Sequence, residues 1–294
     1  MNISDACIVM NERVISKAFA KINLTLDVLG KRADGYHDIE TVMQSVSLFD
    51  LVIIDKTAAK GIRITTNIRS LPCNEKNIAY KAAALFFEET GAPGGVKMLF
   101  HKNIPIGAGL AGGSADGAAV LVSMNRLFGN PLSDERLLEL GARIGADVPF
   151  CIRCGAAVAR GIGEKLSPAP HMPGIPLLIV KPKISISTAE MYEALDDVII
   201  TKRPDTGRML EALRSAAAEN VAAELCNVME PPACEKYPVI GEIKKKMLSC
   251  GALGAAMTGS GSAVFGIFAS KRSADAAVSH FSGDFKNIYS VTTI

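Results

Sequence analysis

The stretch Pro105-Ile106-Gly107-Ala108-Gly109-Leu110-Ala111-Gly112-Gly113-Ser114-Ala115 sets four glycines among small apolar residues. It runs straight into Asp116–Leu127, a segment rich in Ala, Val, Leu and Met that reads as a buried helix. Gly107, Gly109 and Gly112 match the G-x-G-x-x-G spacing of dinucleotide-binding turns, and the same residues match most of a P-loop. Neither match is complete. A dinucleotide site needs an acidic residue at a strand end about 20 residues on, but here Asp134 and Glu135 stand at an expected helix start. A P-loop needs Lys where this chain has Gly113. The physics shared by these loops survives: glycines let backbone N–H groups approach closely, and a helix start offers its positive end to an anion. The expected ligand of Pro105–Ala115 is therefore a nucleotide's phosphates, although glycines serving only close helix–strand packing give the same residues. Ser114, at the expected helix start, either caps the backbone or touches a phosphate-bound Mg²⁺.

Outward from this loop the chain alternates strand and helix signals. Ala18–Val28 puts Ala18, Ala20, Ile22, Leu24, Leu26 and Val28 on one face and Lys21, Asn23, Thr25 and Asp27 on the other, the pattern of a half-buried strand. Ile39–Leu48 and Leu51–Asp55 read as two strands joined at a Phe49-Asp50 corner. Asn77–Thr90 reads as a helix stopped by Gly91, and Val96–His101 as a strand. Ser133 opens a helix to about Ile144, which Gly145-Ala-Asp-Val-Pro149 closes. Beyond Gly155 come short strands, a Pro-rich joint at Ser167–Pro176 and an apolar strand Leu177–Val180. Helical segments follow at Thr188–Leu195, Thr206–Ala217 and Tyr237–Ser249, then a strand Ala263–Phe268. The interleaving indicates an α+β protein, with a domain boundary near residue 154.

A chain of 294 residues with 49% apolar and 21% charged residues is globular rather than disordered. Its formal charge of +2 gives no long-range field for nucleic acid or a membrane surface, so neither is an expected partner. Seven cysteines, an odd number in mostly apolar surroundings, point to a reducing compartment. Cys151-Ile-Arg-Cys154 lacks the second ligand pair a structural zinc site needs. Met1–Ser16 carries no basic leader and apolar core. The expectation is a cytoplasmic protein, a monomer or weak homodimer.

Pro105–Ser114 also resembles the hallmark loop of the galactokinase, homoserine kinase, mevalonate kinase and phosphomevalonate kinase superfamily, the GHMP kinases. Ala20-Lys-Ile-Asn-Leu24, Arg32-Ala-Asp-Gly-Tyr-His37, Gly145-Ala-Asp-Val-Pro149 and Met257-Thr-Gly-Ser-Gly261 narrow the resemblance. They are similar to the member that phosphorylates a cytidine diphosphate derivative of methylerythritol on the non-mevalonate route to isoprenoids. The resemblance spans residues 14–270. It implies a two-domain GHMP-kinase fold: an N-terminal ATP-binding domain, 1–154, carrying the catalytic residues, and a ferredoxin-like C-terminal domain, 155–294, on the substrate side. Position 115 is Ala where the family often has Ser, which bears on metal contacts there but not on phosphate binding through backbone N–H groups.

The implied reaction moves the γ-phosphoryl of ATP, with Mg²⁺, to the 2-hydroxyl of the cytidine substrate. Asp147, in a turn expected to be extended before Pro149, is the candidate base. Lys21 would keep Asp147 ionised and stabilise charge on the transferred group, with Asn23 on the same strand face. The resemblance makes Tyr36 and His37 the cytosine readers and Tyr192 the second aromatic against the base; Thr188, Gly259 and Ser260 line the substrate site. Each has a plainer reading: a surface lysine, a capping Asp or Thr, a half-buried Tyr, a tight turn. Lys244-Lys-Lys246 reads as a solvated helix face. A homoserine- or mevalonate-type kinase, or a non-catalytic ATP-binding relative, are the competing functions.

Overall fold

The computed structural model describes residues 6–196 and 198–294. The first five residues of the Met1–Ser16 stretch lie outside the described residues. Two compact units emerge. The first comprises the described part of Met1–Ala20 together with Leu48–Ile104 and Ala111–Cys154; the second comprises Lys21–Ser47, Pro105–Leu110 and Gly155–Ile294. Strands β2 (Arg13–Lys31) and β3 (His37–Thr57) contribute to both.

In the first unit, β1 (Cys7–Met10) folds back antiparallel on the start of β2 through a two-residue turn, Met10 opposite Arg13, with Asn11 at φ 49°. Asn tolerates this left-handed conformation better than most residues. The far part of β3 pairs antiparallel with β5 (Gly95–His101), and β5 pairs in parallel with β4 (Gly61–Thr66). That parallel pair requires a crossover, supplied by α1 (Ile78–Thr90). Asn77 caps α1 by accepting the N–H of Ala79 at 2.9 Å, and Gly91 ends it at φ 61°, as the sequence indicates. Helices α2 (Gly112–Leu127), α3 (Asp134–Ile144) and α4 (Val148–Arg153) complete the unit. Every residue of α2 from Ala115 to Asn125 is buried, which small side chains and contacts with α1, α3 and α4 permit.

The second unit continues with β6 (Ala156–Gly161), β7 (Lys165–Pro168), β8 (Pro176–Lys181), α5 (Thr188–Asp196), α6 (Thr206–Arg214), α7 (Ala218–Ala223), β9 (Cys226–Asn227), α8 (Glu230–Lys236), α9 (Val239–Ser249), β10 (Gly254–Met257), β11 (Val264–Ile267), α10 (Lys271–Phe281) and β12 (Asn287–Thr292). β6 pairs with Ile39–Gln44 of β3, β7 with β6, and β9 lies parallel to Thr25–Leu26 of β2. The remaining four strands form an antiparallel sheet in the order β10-β11-β8-β12, with α9 and α10 packed on it. In chain order this is strand, helices, two strands, helix, strand: the ferredoxin-like arrangement expected of this half. Leu178, Val180, Ile240, Ile243, Met247, Val264, Phe268 and Phe281 lie in its core.

Several expectations need correction. The polar face of β2 is not exposed: Lys21, Asn23, Thr25 and Asp27 are all buried. Phe49-Asp50 is no corner, because β3 runs on through it and Asp50 is fully buried, accepting the N–H groups of Asn103 and Ile104 at 2.5 and 2.8 Å. Helix α2 begins at Gly112, so Ser114 sits inside its first turn and Ala111 occupies the cap position. The segment before Pro149 is not extended: Val148 and Pro149 open α4, where a missing N–H costs no helical bond. The helix begun at Thr206 stops at Arg214, and the chain turns through Ala216 at φ 52° before α7. Lys244 and Lys246 are not merely solvated, since they pair with Glu230 and Asp284. Among the described residues no helix is long and apolar enough to cross a membrane.

Candidate active site

Lys21 and Asn23 share a face of β2 because they are two residues apart, and each is only 4% exposed. The Lys21 ammonium donates to Asn23 Oδ1 at 2.7 Å and to the Gly109 carbonyl at 3.0 Å, while its backbone N–H donates to Leu110 at 3.2 Å. Asn23 Nδ2 donates to Thr41 Oγ1 at 2.8 Å, and that hydroxyl donates to the Thr25 carbonyl at 2.5 Å. This ladder fixes which way the Asn23 amide points and so aims the ammonium.

Thr258, which the sequence reading did not single out, ties the arrangement together. Its hydroxyl accepts the backbone N–H of Asn23 at 3.0 Å and lies 3.2 Å from both Asn23 Oδ1 and the Gly109 carbonyl. A side chain at Gly109, whose φ is 74°, would put Cβ 2.1 Å from the Thr258 carbonyl oxygen. The glycine is therefore obligatory, as a phosphate-loop reading and a close-packing reading both require. Asn227 braces the same turn, donating to the carbonyls of Met257 and Gly259 at 2.8 and 2.9 Å and accepting the N–H of Met229. Thr188 and Ser260 meet hydroxyl to hydroxyl at 3.0 Å, so both are held at one exposed edge of this turn.

The residues expected to read cytosine also come together, in a different pairing. His37 stacks face to face on Tyr192, with ring centres 4.7 Å apart and planes 11° from parallel. Its Nε2 bonds Asp196 Oδ1 at 2.9 Å. Lys31 donates to the other Asp196 oxygen at 2.5 Å; the Lys31 bond first, and His37 second, hold the Asp196 carboxyl below its ordinary range. Tyr36 projects outward, 61% exposed, from the turn at Gly35, while its N–H donates to Asp34.

In the first unit, Gly112, Gly113, Ser114 and Ala115 form the opening turn of α2. Ala111 stands before them at φ 56°, no side chain caps the helix, and no acidic residue occupies its first turn. Such an end suits an anion. Beneath it Lys102 donates to Asp50 Oδ2, to Asp116 Oδ2 at 2.5 Å and to the Gly112 carbonyl at 3.4 Å. Burial drives the Asp116 carboxyl up to about 7 against the pull of the Lys102 ammonium, and its Oδ1 is buried without a hydrogen-bond partner. Asn67 pins both main-chain groups of Lys102, at 2.8 and 3.1 Å. Asp147 stands at the cap position of α4, partly buried, at φ −80° and ψ −11°; its side chain does not cap the helix. The thiols of Cys151 and Cys154 are buried, and Cys154 donates to the Cys151 carbonyl at 3.2 Å. Among the described residues no group of three or more His, Cys, Asp or Glu side chains is placed to hold a metal ion.

Residues 77–155 match the family model "GHMP kinases N terminal domain", and residues 209–287 match "GHMP kinases C terminal". Fold, loop and both matches thus define a GHMP kinase. A 4-diphosphocytidyl-2-C-methyl-D-erythritol kinase from Caldicellulosiruptor saccharolyticus is 49% identical over 280 residues, 95% of this chain and 97% of that protein. One from Alkaliphilus metalliredigens is 43% identical, also over 280 residues, 95% of this chain and 96% of that protein. A crystal structure of 4-(cytidine 5'-diphospho)-2C-methyl-D-erythritol kinase superposes with a TM-score of 0.82 at 33% identity, covering 95% of this chain and 98% of that one. Homoserine kinase from Cytophaga hutchinsonii shares the fold, with a TM-score of 0.76 at 21% identity and coverage of 98% and 96%. The chain belongs to the 4-diphosphocytidyl-2-C-methyl-D-erythritol kinase family within the GHMP kinases, and it is a small-molecule kinase.

Proposed function

We propose that this kinase transfers the γ-phosphoryl group of ATP to the 2-hydroxyl of 4-diphosphocytidyl-2-C-methyl-D-erythritol, releasing ADP and the 2-phosphate, in non-mevalonate isoprenoid precursor synthesis. The observation that carries the reading is the buried Lys21 ammonium, aimed by Asn23 and by the carbonyl of Gly109 within the glycine-rich loop. In this reading Pro105–Ala115 wraps the triphosphate with backbone N–H groups. Phosphoryl transfer asks little covalent chemistry of a protein and much positioning and charge stabilisation. Lys21 supplies the charge and Asp147 accepts the proton of the attacking hydroxyl. Mg²⁺ arrives as part of the nucleotide substrate, and Ser114, half-buried in the uncapped first turn of α2, is the side chain we assign to it.

His37, Tyr36 and Tyr192 serve the cytosine, with Thr188, Gly259 and Ser260 on the substrate beyond it; Asn23 orients Lys21 and lines the same face. Residues 1–154 supply the ATP-binding and catalytic part and 155–294 the substrate side. We place the protein in the cytoplasm. The test is ADP release with ATP, Mg²⁺ and the cytidine substrate, beside mevalonate and homoserine and beside Asp147→Asn. Turnover confined to the cytidine substrate and lost in the variant is expected; turnover with mevalonate or homoserine instead would overturn the substrate assignment.

A further inference from the structure

Lys102 makes no contribution to the mechanism above, yet it is a buried lysine shared between two buried carboxylates. The groups it joins lie on either side of the phosphate loop. Asp50 Oδ1 accepts the N–H groups of Asn103 and Ile104, the residues that lead into Pro105. Asp116 lies in the second turn of α2, and the Gly112 carbonyl, also within reach of the ammonium, in its first. One nitrogen thus holds the backbone just before the loop and the helix just after it. The two ends are in close contact: a Cβ on Gly112 would stand 2.9 Å from Ile104 Cγ2. Fixing both ends of a short loop removes most of its freedom, because loop conformers are limited by their end positions. A cradle of N–H groups binds phosphate well only if it is formed before the ligand arrives.

We propose that Lys102 is a positioning residue for ATP, acting through Asp50 and Asp116 to hold the phosphate loop in its binding shape. The inference rests on reading Pro105–Ala115 as the ATP loop. A purely architectural role would show only as a loss of fold stability, so the test must separate the two. Lys102→Met combined with Asp116→Leu and Asp50→Asn removes all three buried charges together and keeps an amide oxygen at position 50 for the N–H groups of Asn103 and Ile104. Replacing a buried ion pair by apolar side chains of similar shape is often neutral for stability.

Binding of ATP with Mg²⁺ is titrated calorimetrically on the full chain, parent and variant, beside thermal melting and the KM for each substrate. The expected result is a melting temperature near the parent's, ATP affinity weakened about tenfold or more, since small misplacements of a binding group are costly, and a KM for the cytidine substrate unchanged within about twofold. A folded variant that binds ATP as tightly as the parent overturns the proposal. If this variant does not fold, Asp116→Asn, which keeps the shape and the Lys102–Asp50 contact, is titrated instead. A weakening of about threefold confined to ATP supports the proposal, and unchanged binding overturns it. Failure of the parent itself to bind ATP would instead refute the loop assignment.

Discussion

Lys21 and Lys102 are both buried, but their partners lie in different places. Lys21 donates to the Asn23 amide oxygen and to the Gly109 carbonyl, which lies inside the glycine-rich loop. Lys102 donates to two carboxylates and to the Gly112 carbonyl, groups that flank the Gly107–Gly109 part of that loop on both sides. Contact with the loop itself suits a group that acts on an arriving anion; bonds to its two ends suit a strut. The same residue type, at nearly equal burial, is thus assigned to function or framework by where its partners lie.

The largest effect that can break this comparison is on rate. Lys21→Met should lower kcat by about 10³-fold, as for a donor aimed at developing charge, while leaving the melting temperature within a few degrees. Asp147→Asn should lower kcat by about 10²–10⁴-fold, the usual yield of proton-transfer catalysis. Single-turnover phosphorylation beside thermal melting checks both. If Lys21→Met proves to be mainly a stability variant, the functional half of the comparison fails.

Lys102→Met alone should do the opposite. It leaves the Asp50 carboxylate buried without its cation, a loss of about 3–5 kcal/mol in denaturant unfolding. The pH dependence sharpens the point. Asp116 titrates near 7 in the folded chain and near 4 when unfolded, so between those values the folded state binds the extra proton. The sign is therefore the reverse of an ordinary salt-bridged aspartate: this carboxyl's contribution to stability falls as pH rises from about 4 to about 7. Comparing unfolding of the parent and Asp116→Asn across that range should show the difference declining with pH; a difference rising with pH would mean that Lys102 outweighs burial.

How much of this was readable beforehand follows the same division. The i, i+2 spacing on β2 brought Lys21 and Asn23 to one face, and Asn77 and Gly91 marked both ends of α1, because these signals are local. The Phe49-Asp50 pair looked like a corner because an aspartate within a strand pattern usually means exposure; only the N–H groups of Asn103 and Ile104, over 50 residues away, make burial tolerable. Nothing local marks Lys102 either, because its carboxylate partners Asp50 and Asp116 lie 52 and 14 residues away. The stacking of His37 on Tyr192 and its bond to Asp196 join residues about 155 and 159 positions apart, and nothing in the spacing of either segment encodes it. Half-exposure of β2 was inferred from alternation, which reports polarity; the polar face is covered because its groups satisfy one another and Thr258.

The smallest effect belongs to Thr258, and it tests whether the Asn23–Thr258 hydrogen bonds help to aim Lys21. Thr258→Val keeps the branched shape and removes the hydroxyl. The backbone N–H of Asn23 then has no side-chain acceptor at that point, a cost of about 1–3 kcal/mol for a buried donor. The Asn23 amide also loses the neighbour on the side away from Thr41, so the oxygen that holds the ammonium is less constrained. If aim is what matters, kcat should fall about tenfold while ATP affinity stays near the parent's, because the charge itself is untouched. Thr258→Ser, which restores the hydroxyl but not the methyl group, should recover most of the rate. Equal losses in the Val and Ser variants would trace the effect to packing of the methyl group, and the hydrogen-bonded network would then not be what aims Lys21.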